Sequence, residues 1–355
     1  MSSEPNHHDA ADKPAAIHQR HVSRLKLLGI ILTVAGIGLF CYFVWSVGLA
    51  DILGNIERFG LAGFAIILLI YFARILTRAS AWKLSVYDPY KLSLRDTIPA
   101  VIIGEAMSSM IPLGILVSGT AKAVAVRKRL PLVVGLSSVA TENLFYSFVT
   151  SVFLLLGSFA FVRGFQLDEG WRWSIDVLIG VLGGLLILGI VMVVKQWHFA
   201  SEICEKLYQR GFARGLLENG RAEVRLFENL IYGFYRRHPR RFLPICLFEA
   251  AFHLLGIAEV WLILTRLGES SLLNAFLLET VSRLITIVFK LVPFVIGVDE
   301  AGSQFVAETI AAGAGIGITI AIIRKGRILF WTAIGLLLIV KRGLSLREIQ
   351  KTGGV

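Results

Sequence analysis

The sequence has few charged residues and few cysteines for its length. Only 17% of its 355 residues are Asp, Glu, Lys or Arg, and the three cysteines are scattered without a CxxC pair. This spacing supports neither a disulfide framework nor a metal knuckle. The sequence also has no HExxH motif and no Walker A motif, so it indicates neither a zinc protease nor a P-loop nucleotide site. We therefore expect no metal and no cofactor.

What the chain has instead is apolar sequence. Hydrophobic residues make up 55% of it, with a mean hydropathy of +0.71, and several runs approach or exceed the roughly 20 residues that span a bilayer as a helix. The sequence predicts an all-α polytopic membrane protein. Its net charge of +11 comes from Lys and Arg between the apolar runs. This pattern indicates cytoplasmic loops that meet anionic lipid and gives no reason to expect a nucleic-acid partner.

The apolar runs divide the chain into five segments. Residues 1–26 form a polar tail, predicted to be disordered and cytoplasmic, and residues 341–355 form a basic tail, also predicted to be cytoplasmic. Two membrane halves, 27–194 and 242–340, flank the basic segment 195–241, whose apolar residues recur at helical spacing. We expect this segment to lie as an amphipathic helix on the inner leaflet. Asp51–Phe59 is expected to be a short loop between the first two spans.

Each half contains an apolar run that a proline interrupts. The first, near 97–119, breaks at Pro112 and has cationic segments on both sides. A hairpin that enters and leaves on the cytoplasmic side satisfies the positive-inside rule better than a single crossing. The second, near 279–317, breaks at Pro293 and then places Asp299 and Glu300 between glycines. Broken backbone at membrane depth is tolerated where it lines a wet cavity, and acidic residues there are candidates for function.

The two breaks predict an inverted repeat. If the first hairpin opens to the cytoplasm, the second must open to the other side for both termini to stay inside. The prediction is six full spans and two re-entrant hairpins, eight membrane elements in all, with a substrate site where the hairpins meet near the midplane. The alternative is eight full spans, which leaves a basic loop outside.

With these features in view, the chain resembles the lysylphosphatidylglycerol synthase transmembrane (flippase-like) family. The resemblance rests on RASAWKLSV, MIPLGILVSGTAKAVAV, VATENLFYSF and LVPFVIGVDEAGSQFVAETIAAG, and covers most of the chain. It departs from the family at Glu142-Asn143, where a Glu-Arg pair is usual, and at Ser118–Lys122, where an arginine is expected. The resemblance implies translocation of a polar-headed lipid across a bacterial inner membrane, with a hopanoid-associated branch as one home. Because the sequence ends at Val355 without the aminoacyl-transferase domain of some relatives, lipid aminoacylation is not expected. The prediction is a transporter and not an enzyme.

Eight residues are candidates for contacting a lipid head group. The cations expected to attract phosphate or another anion are Arg78, Lys122, Lys290 and Arg327, and the carboxylates expected to accept hydrogen bonds or take up a proton are Glu142, Asp299 and Glu300. Arg283 either lines the cavity or simply pairs with Glu279 four residues earlier.

Each of these candidates also has a plainer structural interpretation. Asp299 and Glu300 are expected to cap a helix that begins at Ala301 if they have no other role. Arg327 either binds phosphate or pairs with Glu300 or Glu279, and Lys290 alternatively snorkels to the interface. Glu249 and His253 share a helix face, where a proton relay is conceivable.

The sequence therefore predicts a flippase-type transporter that binds membrane lipids with anionic or polar heads, with oligomer formation left open. Two rival hypotheses stand beside it. One is a membrane enzyme that uses Asp299 or Glu300 as a base to modify a lipid. The other is a structural partner in a lipid-synthesis complex, docked through residues 195–241.

Overall fold

A computed structural model describes residues 49–110, 114–165, 169–195, 198–210, 232–289, 295–310 and 315–342, with isolated positions at 38–45 and 224–229. No strand occurs in this part of the chain. Its helices are α1 (Leu49–Ser85), α2 (Leu94–Met110), α3 (Gly114–Ala125), α4 (Leu132–Gly164), α5 (Glu169–Lys195), α6 (Phe199–Gln209), α7 (Phe242–Arg266), α8 (Leu272–Val288), α9 (Val298–Thr309) and α10 (Ile316–Lys341).

Four stretches are long and apolar enough to cross a membrane: α1, α4, Arg172–Val191 within α5, and Pro239–Arg266, which includes α7. These spans confirm the predicted all-helical, multi-pass membrane protein. Helix α10 is 26 residues long but carries Arg324, Lys325 and Arg327. The first predicted span, the two tails and much of 195–241 lie outside the described residues, apart from α6 and the helical residues 232–237.

Asp51–Phe59 was expected to be a loop, and that expectation is wrong. The segment is helical, and the chain departs from helical geometry only at Gly60, with φ 70° and ψ 167°. Ile52 and Phe59 are buried, seven residues apart and therefore on one helix face. A buried face accounts for a helix here, and Gly60 takes the positive φ that lets α1 bend.

Each proline break separates two helices that pack against each other. Helix α2 has 17 residues and α3 has 12, and across the second break α8 has 17 and α9 has 12. The pairs α2–α3 and α8–α9 are both in contact. We call them hairpin 1 and hairpin 2. Each half of the protein is thus built as helix, hairpin, helix.

The packing of the helices has twofold character. The pattern of helix contacts is kept when each helix of the first half is exchanged with its counterpart in the second half: α1 with α7, α2 with α8, α3 with α9, and α4 with α10. The contact between α1 and α7 is unchanged by this exchange, and the contact between α2 and α10 becomes the contact between α8 and α4. The contacts α3–α4, α1–α2 and α1–α10 likewise map onto α9–α10, α7–α8 and α7–α4, all of which are present. Helix α5 is an addition that packs on α4.

Two apolar cores lie toward opposite ends of α1. One includes Ile67 and the other includes Ala79 and Trp82. Arg74 lies between Ile67 of the first core and Ile75 of the second, Arg78 lies beside Ala79 of the second, and both arginines are buried. On α10, Arg324 and Arg327 likewise lie between Ile323 of the first core and Trp331, which packs against the second. The fold therefore places a charged layer between two apolar ones, and this layer contains the candidate site.

Candidate functional site

A cavity of about 260 Å³ lies between the two hairpins. Hairpin 1 contributes Ser108, Ser109, Ser118 and Lys122 to its wall, and hairpin 2 contributes Arg283, Thr286 and Asp299. Phe252, Trp331 and Thr332 add surface from α7 and α10, and Arg78 comes from α1. The lining residues come from both sides of both proline breaks, so the two interrupted segments meet at one place.

Three arginines share Phe252 as an aromatic neighbour, and two of them, Arg78 and Arg283, line the cavity. The guanidinium carbons of Arg78 and Arg283 lie 5.6 and 5.1 Å from the centre of the Phe252 ring, and that of Arg74 lies 4.4 Å from it. Arg78 also lies 4.1 Å from the centre of the Tyr146 ring and donates a hydrogen bond of 3.3 Å to Asn143 Oδ1. Cation–π contacts of this kind hold a guanidinium in place without neutralising its charge.

Behind the cavity, Glu142 of α4 bridges two of the lining cations. Its Oε1 lies 2.6 Å from Arg78 Nη2, and its Oε2 lies 3.6 Å from Lys122 Nζ. Glu249 of α7 approaches the guanidinium of Arg78 as well, with its Oε2 3.9 Å from Arg78 Nη1. Both carboxyl groups are fully buried. This group, Arg78, Lys122, Glu142 and Glu249, is called cluster 1.

Cluster 2 consists of Glu259 and Glu279 with the arginines around them. Arg74 Nη1 lies 2.9 Å from Glu259, and Arg283 Nη2 lies 2.7 Å from Glu279. Arg324 donates to Glu279 and Arg327 donates to Glu259. Four arginines thus surround two carboxylates in a buried setting, and removal of either carboxylate would leave uncompensated charge in the protein interior.

Cluster 3 is formed by Asp299, Glu300 and Lys325 near the start of α9. Lys325 Nζ lies 2.7 Å from Glu300 Oε1 and 3.9 Å from Asp299 Oδ2. The Ser282 hydroxyl donates to Asp299 Oδ1 at 2.7 Å. The amide of Gly297, whose φ is 83°, donates to Glu300 Oε2 at 2.8 Å. Glu300 therefore caps α9, which begins at Val298 and not at the expected Ala301.

The predicted site residues fall into different places. Arg78, Lys122, Arg283 and Asp299 line the cavity, while Glu142 supports it from behind. Glu300 is a fully buried helix cap that also pairs with Lys325. Arg327 pairs with Glu259, so neither predicted partner, Glu300 or Glu279, is correct. Lys290 lies outside the described residues. Arg283 both lines the cavity and pairs with Glu279, which satisfies both interpretations offered for it.

Sequence reasoning gave no role to several residues that organise the site. Arg74, Glu259 and Arg324 form the centre of cluster 2. Glu105 is different, because its isolated place in an apolar run indicates a cavity role, and it does line the cavity, where it accepts a 2.8 Å hydrogen bond from the Tyr71 hydroxyl. The available signal was a charge within or beside an apolar run, since such charges at membrane depth rarely lack a role.

Among the residues that the structure describes, no group of three or more His, Cys, Asp or Glu is arranged to hold a metal ion. The carboxylates of clusters 1, 2 and 3 face Arg and Lys. The site is therefore suited to binding charged groups of a ligand by ion pairing and hydrogen bonding.

Comparison with known proteins gives a family and no individual relative. No curated protein and no solved structure matches the chain significantly. The model of the family described as "Lysylphosphatidylglycerol synthase TM region" matches residues 26–335. This range includes helices α1–α9, both hairpins and all three charged clusters. The chain therefore belongs to the lysylphosphatidylglycerol synthase transmembrane-region family, a family of lipid-related membrane domains.

Proposed function

We propose that the protein moves a polar-headed lipid between the leaflets of a membrane without changing it chemically. The observation that carries this proposal is the charged cavity between the two hairpins, whose wall includes Arg78, Lys122 and Arg283 together with the carboxyl groups of Glu105 and Asp299. A charged cavity at membrane depth is costly, and such sites mark substrate pathways.

The cavity is suited to a head group and not to a whole lipid. Its volume of about 260 Å³ is several times the roughly 30 Å³ that a water molecule occupies in the liquid. The acyl chains would remain in the bilayer. Arg78, Lys122 and Arg283 would contact an anionic part of the head group, and Asp299 would accept hydrogen bonds from hydroxyl or amine groups.

The proposed arrangement in the membrane is six full spans with two re-entrant hairpins that open to opposite sides. Helix lengths support it: α3 and α9 have 12 residues each, about 18 Å of helix, against a hydrocarbon core of about 30 Å. The twofold packing of the two halves supports it as well, because inverted repeats of discontinuous helices form midplane sites in transporters. In this arrangement both termini are cytoplasmic and the membrane is a bacterial inner membrane.

The test is leaflet exchange of labelled lipids in vesicles that contain the purified full-length chain. Wild type should exchange an anionic phospholipid faster than empty vesicles, and the lipid should be recovered unchanged by mass spectrometry. Arg283→Gln and Lys122→Gln should each reduce the rate about tenfold or more, since a charged hydrogen bond contributes about 1.5–3 kcal/mol.

Lys128→Gln is the matched control because Lys128 is exposed in the segment between α3 and α4 and does not line the cavity. Its exchange rate should equal that of wild type. Wild-type vesicles that exchange no lipid faster than empty vesicles would remove the basis of the proposal. Recovery of a modified lipid would favour the enzyme hypothesis instead.

A further inference from the structure

Glu249 is a buried carboxyl group with unusually little compensation. It is fully buried, and neither of its oxygens has a hydrogen-bond partner among the residues that the structure describes. Its salt-bridge contact is Arg78 Nη1 at 3.9 Å. By contrast, Glu142, whose oxygens also lack hydrogen bonds, has Arg78 Nη2 at 2.6 Å, and Glu259, Glu279 and Glu300 each have a cation within 2.9 Å. Glu249 is thus the carboxyl group of the site that is least stabilised as an anion.

The surroundings of Glu249 decide its charge state. Arg78 approaches Glu249 from α1, and Glu142 of α4 pairs with the same Arg78 and with Lys122 of α3. Cys246 and His253 lie one turn away on α7 itself. Tyr146 stacks on His253, and Arg74 and Arg283 lie over the ring of Phe252, three residues further along α7. Glu142 Oε1 lies 2.6 Å from Arg78 Nη2, so Glu142 is the closer carboxylate of this guanidinium. His253 Nε2 is hydrogen-bonded to the Thr150 hydroxyl at 3.0 Å.

A buried carboxylate without hydrogen bonds is expensive, and a second carboxylate on the same guanidinium adds repulsion. Protonation of Glu249 removes the buried negative charge and this repulsion.

The charge state of Glu249 affects the cavity through Arg78 and Lys122. Those two cations line the cavity, whereas Glu142 and Glu249 are not part of its wall. With both carboxyl groups ionised, the two cations of cluster 1 are balanced. With Glu249 protonated, one positive charge is left uncompensated toward the cavity, and an anionic head group would restore the balance.

We propose that Glu249 is the proton-binding site of the transporter, and that a proton and an anionic head group bind to cluster 1 together. The proposal rests on the transport function proposed above. Linkage makes the coupling reciprocal: the anion favours protonation of Glu249, and protonation favours the anion.

The proton step is simple to balance. A proton from water that enters the cavity adds to a carboxylate oxygen of Glu249 and forms an O–H bond, and it returns to water when the head group leaves. No electron is transferred. Because the proton offsets the negative charge of the head group, the pair crosses the membrane without moving net charge. Moving one uncompensated charge would cost or gain about 2.3 kcal/mol per 100 mV of membrane potential.

The first experiment measures binding to the full-length protein in detergent, with dihexanoyl phosphatidylglycerol as the probe. In a weakly buffered solution, wild type should take up close to one proton for each probe molecule bound, and its affinity should rise as pH falls, by up to tenfold per pH unit. Glu249→Gln imitates the protonated carboxyl group. It should bind the probe with the affinity that wild type reaches at low pH, independently of pH and without proton uptake.

Glu308→Gln is the control because Glu308 is exposed on α9 and accepts a 2.9 Å hydrogen bond from Gln304. It should keep the wild-type pH dependence and proton uptake. If Glu249→Gln does not fold, the proton count on wild type still decides the matter. Binding of the probe by wild type without proton uptake overturns the proposal, and so does unchanged pH dependence in a folded Glu249→Gln protein.

This outcome is distinguishable from a failure of the transport proposal. Proton-linked binding without any leaflet exchange would contradict transport and leave the proton site standing. Leaflet exchange whose rate does not change with pH, in wild type and in Glu249→Gln alike, would contradict the proton site and leave transport standing. A protonated-carboxyl infrared band that is present in wild type and absent from Glu249→Gln would identify the group directly.

Discussion

Glu259 shows how this protein keeps charge inside a membrane domain. It is fully buried, and it receives Arg74 from α1 and Arg327 from α10. The side chain of Arg327 also lies over the Tyr71 ring at 4.1 Å. One carboxylate thus joins three helices, and its charge is needed by both arginines.

We predict that Glu259→Gln destabilises the protein by about 3–5 kcal/mol, because it leaves buried arginines without their counter-charge. Thermal unfolding in detergent, followed by loss of the monodisperse peak, measures the effect. Glu269→Gln, at a partly exposed position between α7 and α8, should unfold like wild type. Equal unfolding temperatures for the two variants would show that cluster 2 is not structural.

The sequence was informative about which residues matter and uninformative about their partners. Glu142 and Asp299 were identified because a carboxyl group in an apolar run is rare. The partner of Arg327 was predicted wrongly because Glu259 lies 68 positions away in the sequence, and charge patterning gives no distance between helices. Arg74 and Glu259 are 185 positions apart, so no local pattern connects them.

At the scale of helices, the two halves repeat the same contacts with the charges reversed. In the first half, Lys122 of α3 and Arg78 of α1 meet the carboxylate of Glu142 on α4. In the second half, Glu300 of α9 meets Lys325 on α10, and α7 supplies the carboxylate that pairs with Arg327, also on α10. Helices that carry the cations in the first half therefore correspond to helices that carry the carboxylates in the second half, and the reverse.

Two glycines mark equivalent crossings in this repeat. A Cβ atom added to Gly335 of α10 would overlap Ala106 of α2, and one added to Gly157 of α4 would overlap Thr280 of α8. These are the α10–α2 and α4–α8 contacts, which the twofold exchange interconverts. Small residues allow the close helix approach on which membrane packing depends.

We predict that Gly335→Ala and Gly157→Ala each destabilise the protein by about 1–3 kcal/mol, as overpacked sites do. The matched control is Gly189→Ala on the exposed face of α5, where a Cβ meets no atom within 4 Å. It should be neutral or stabilise the helix by up to about 1 kcal/mol, since alanine is the better helix former. A cost at Gly189 as large as at Gly335 would attribute the effect to something other than helix packing.

The sequence located the interruptions of these helices better than the helices themselves. Pro112 and Pro293 lie outside the described residues, but the helices on either side of them do end at Met110 and Val288 and begin again at Gly114 and Val298. Proline favours such an end because it removes a backbone donor, although Pro99 is accommodated inside α2. The start of α9 was predicted three residues too late, since the cap depends on the positive φ of Gly297 and on the reach of Glu300. The twofold packing needed contacts across the whole chain, which a weak sequence similarity between two hairpins cannot supply.

For the whole molecule, the charged layer and the repeat together constrain how the chain crosses the membrane. Both hairpins line the same cavity. Hairpin 1 packs against α10 and hairpin 2 packs against α4, which are equivalent helices in the twofold exchange. If they enter from opposite sides, the cavity lies near the midplane and can be approached through either hairpin. If they enter from the same side, two related halves would need the same orientation, and the positively charged segment before α4 would share a side with the segment between α7 and α8.

Cysteine labelling in cells decides between these arrangements. In a protein whose Cys41, Cys204 and Cys246 are replaced by Ser, we predict that Ser270→Cys reacts with an impermeant maleimide from outside. Lys128→Cys should react only after the membrane is opened, because lysine-rich and arginine-rich segments remain cytoplasmic. Both positions are exposed in the structure.

Each outcome of the labelling has one meaning. Eight full spans would reverse the assignment, with Lys128→Cys outside and Ser270→Cys inside, and labelling of both from one side would contradict the opposed hairpins. A matched pair on one hairpin, Ser93→Cys with Lys128→Cys, serves as the internal control. Both flank hairpin 1 and should always react from the same side if that hairpin is re-entrant, whereas a full span would place them on opposite sides.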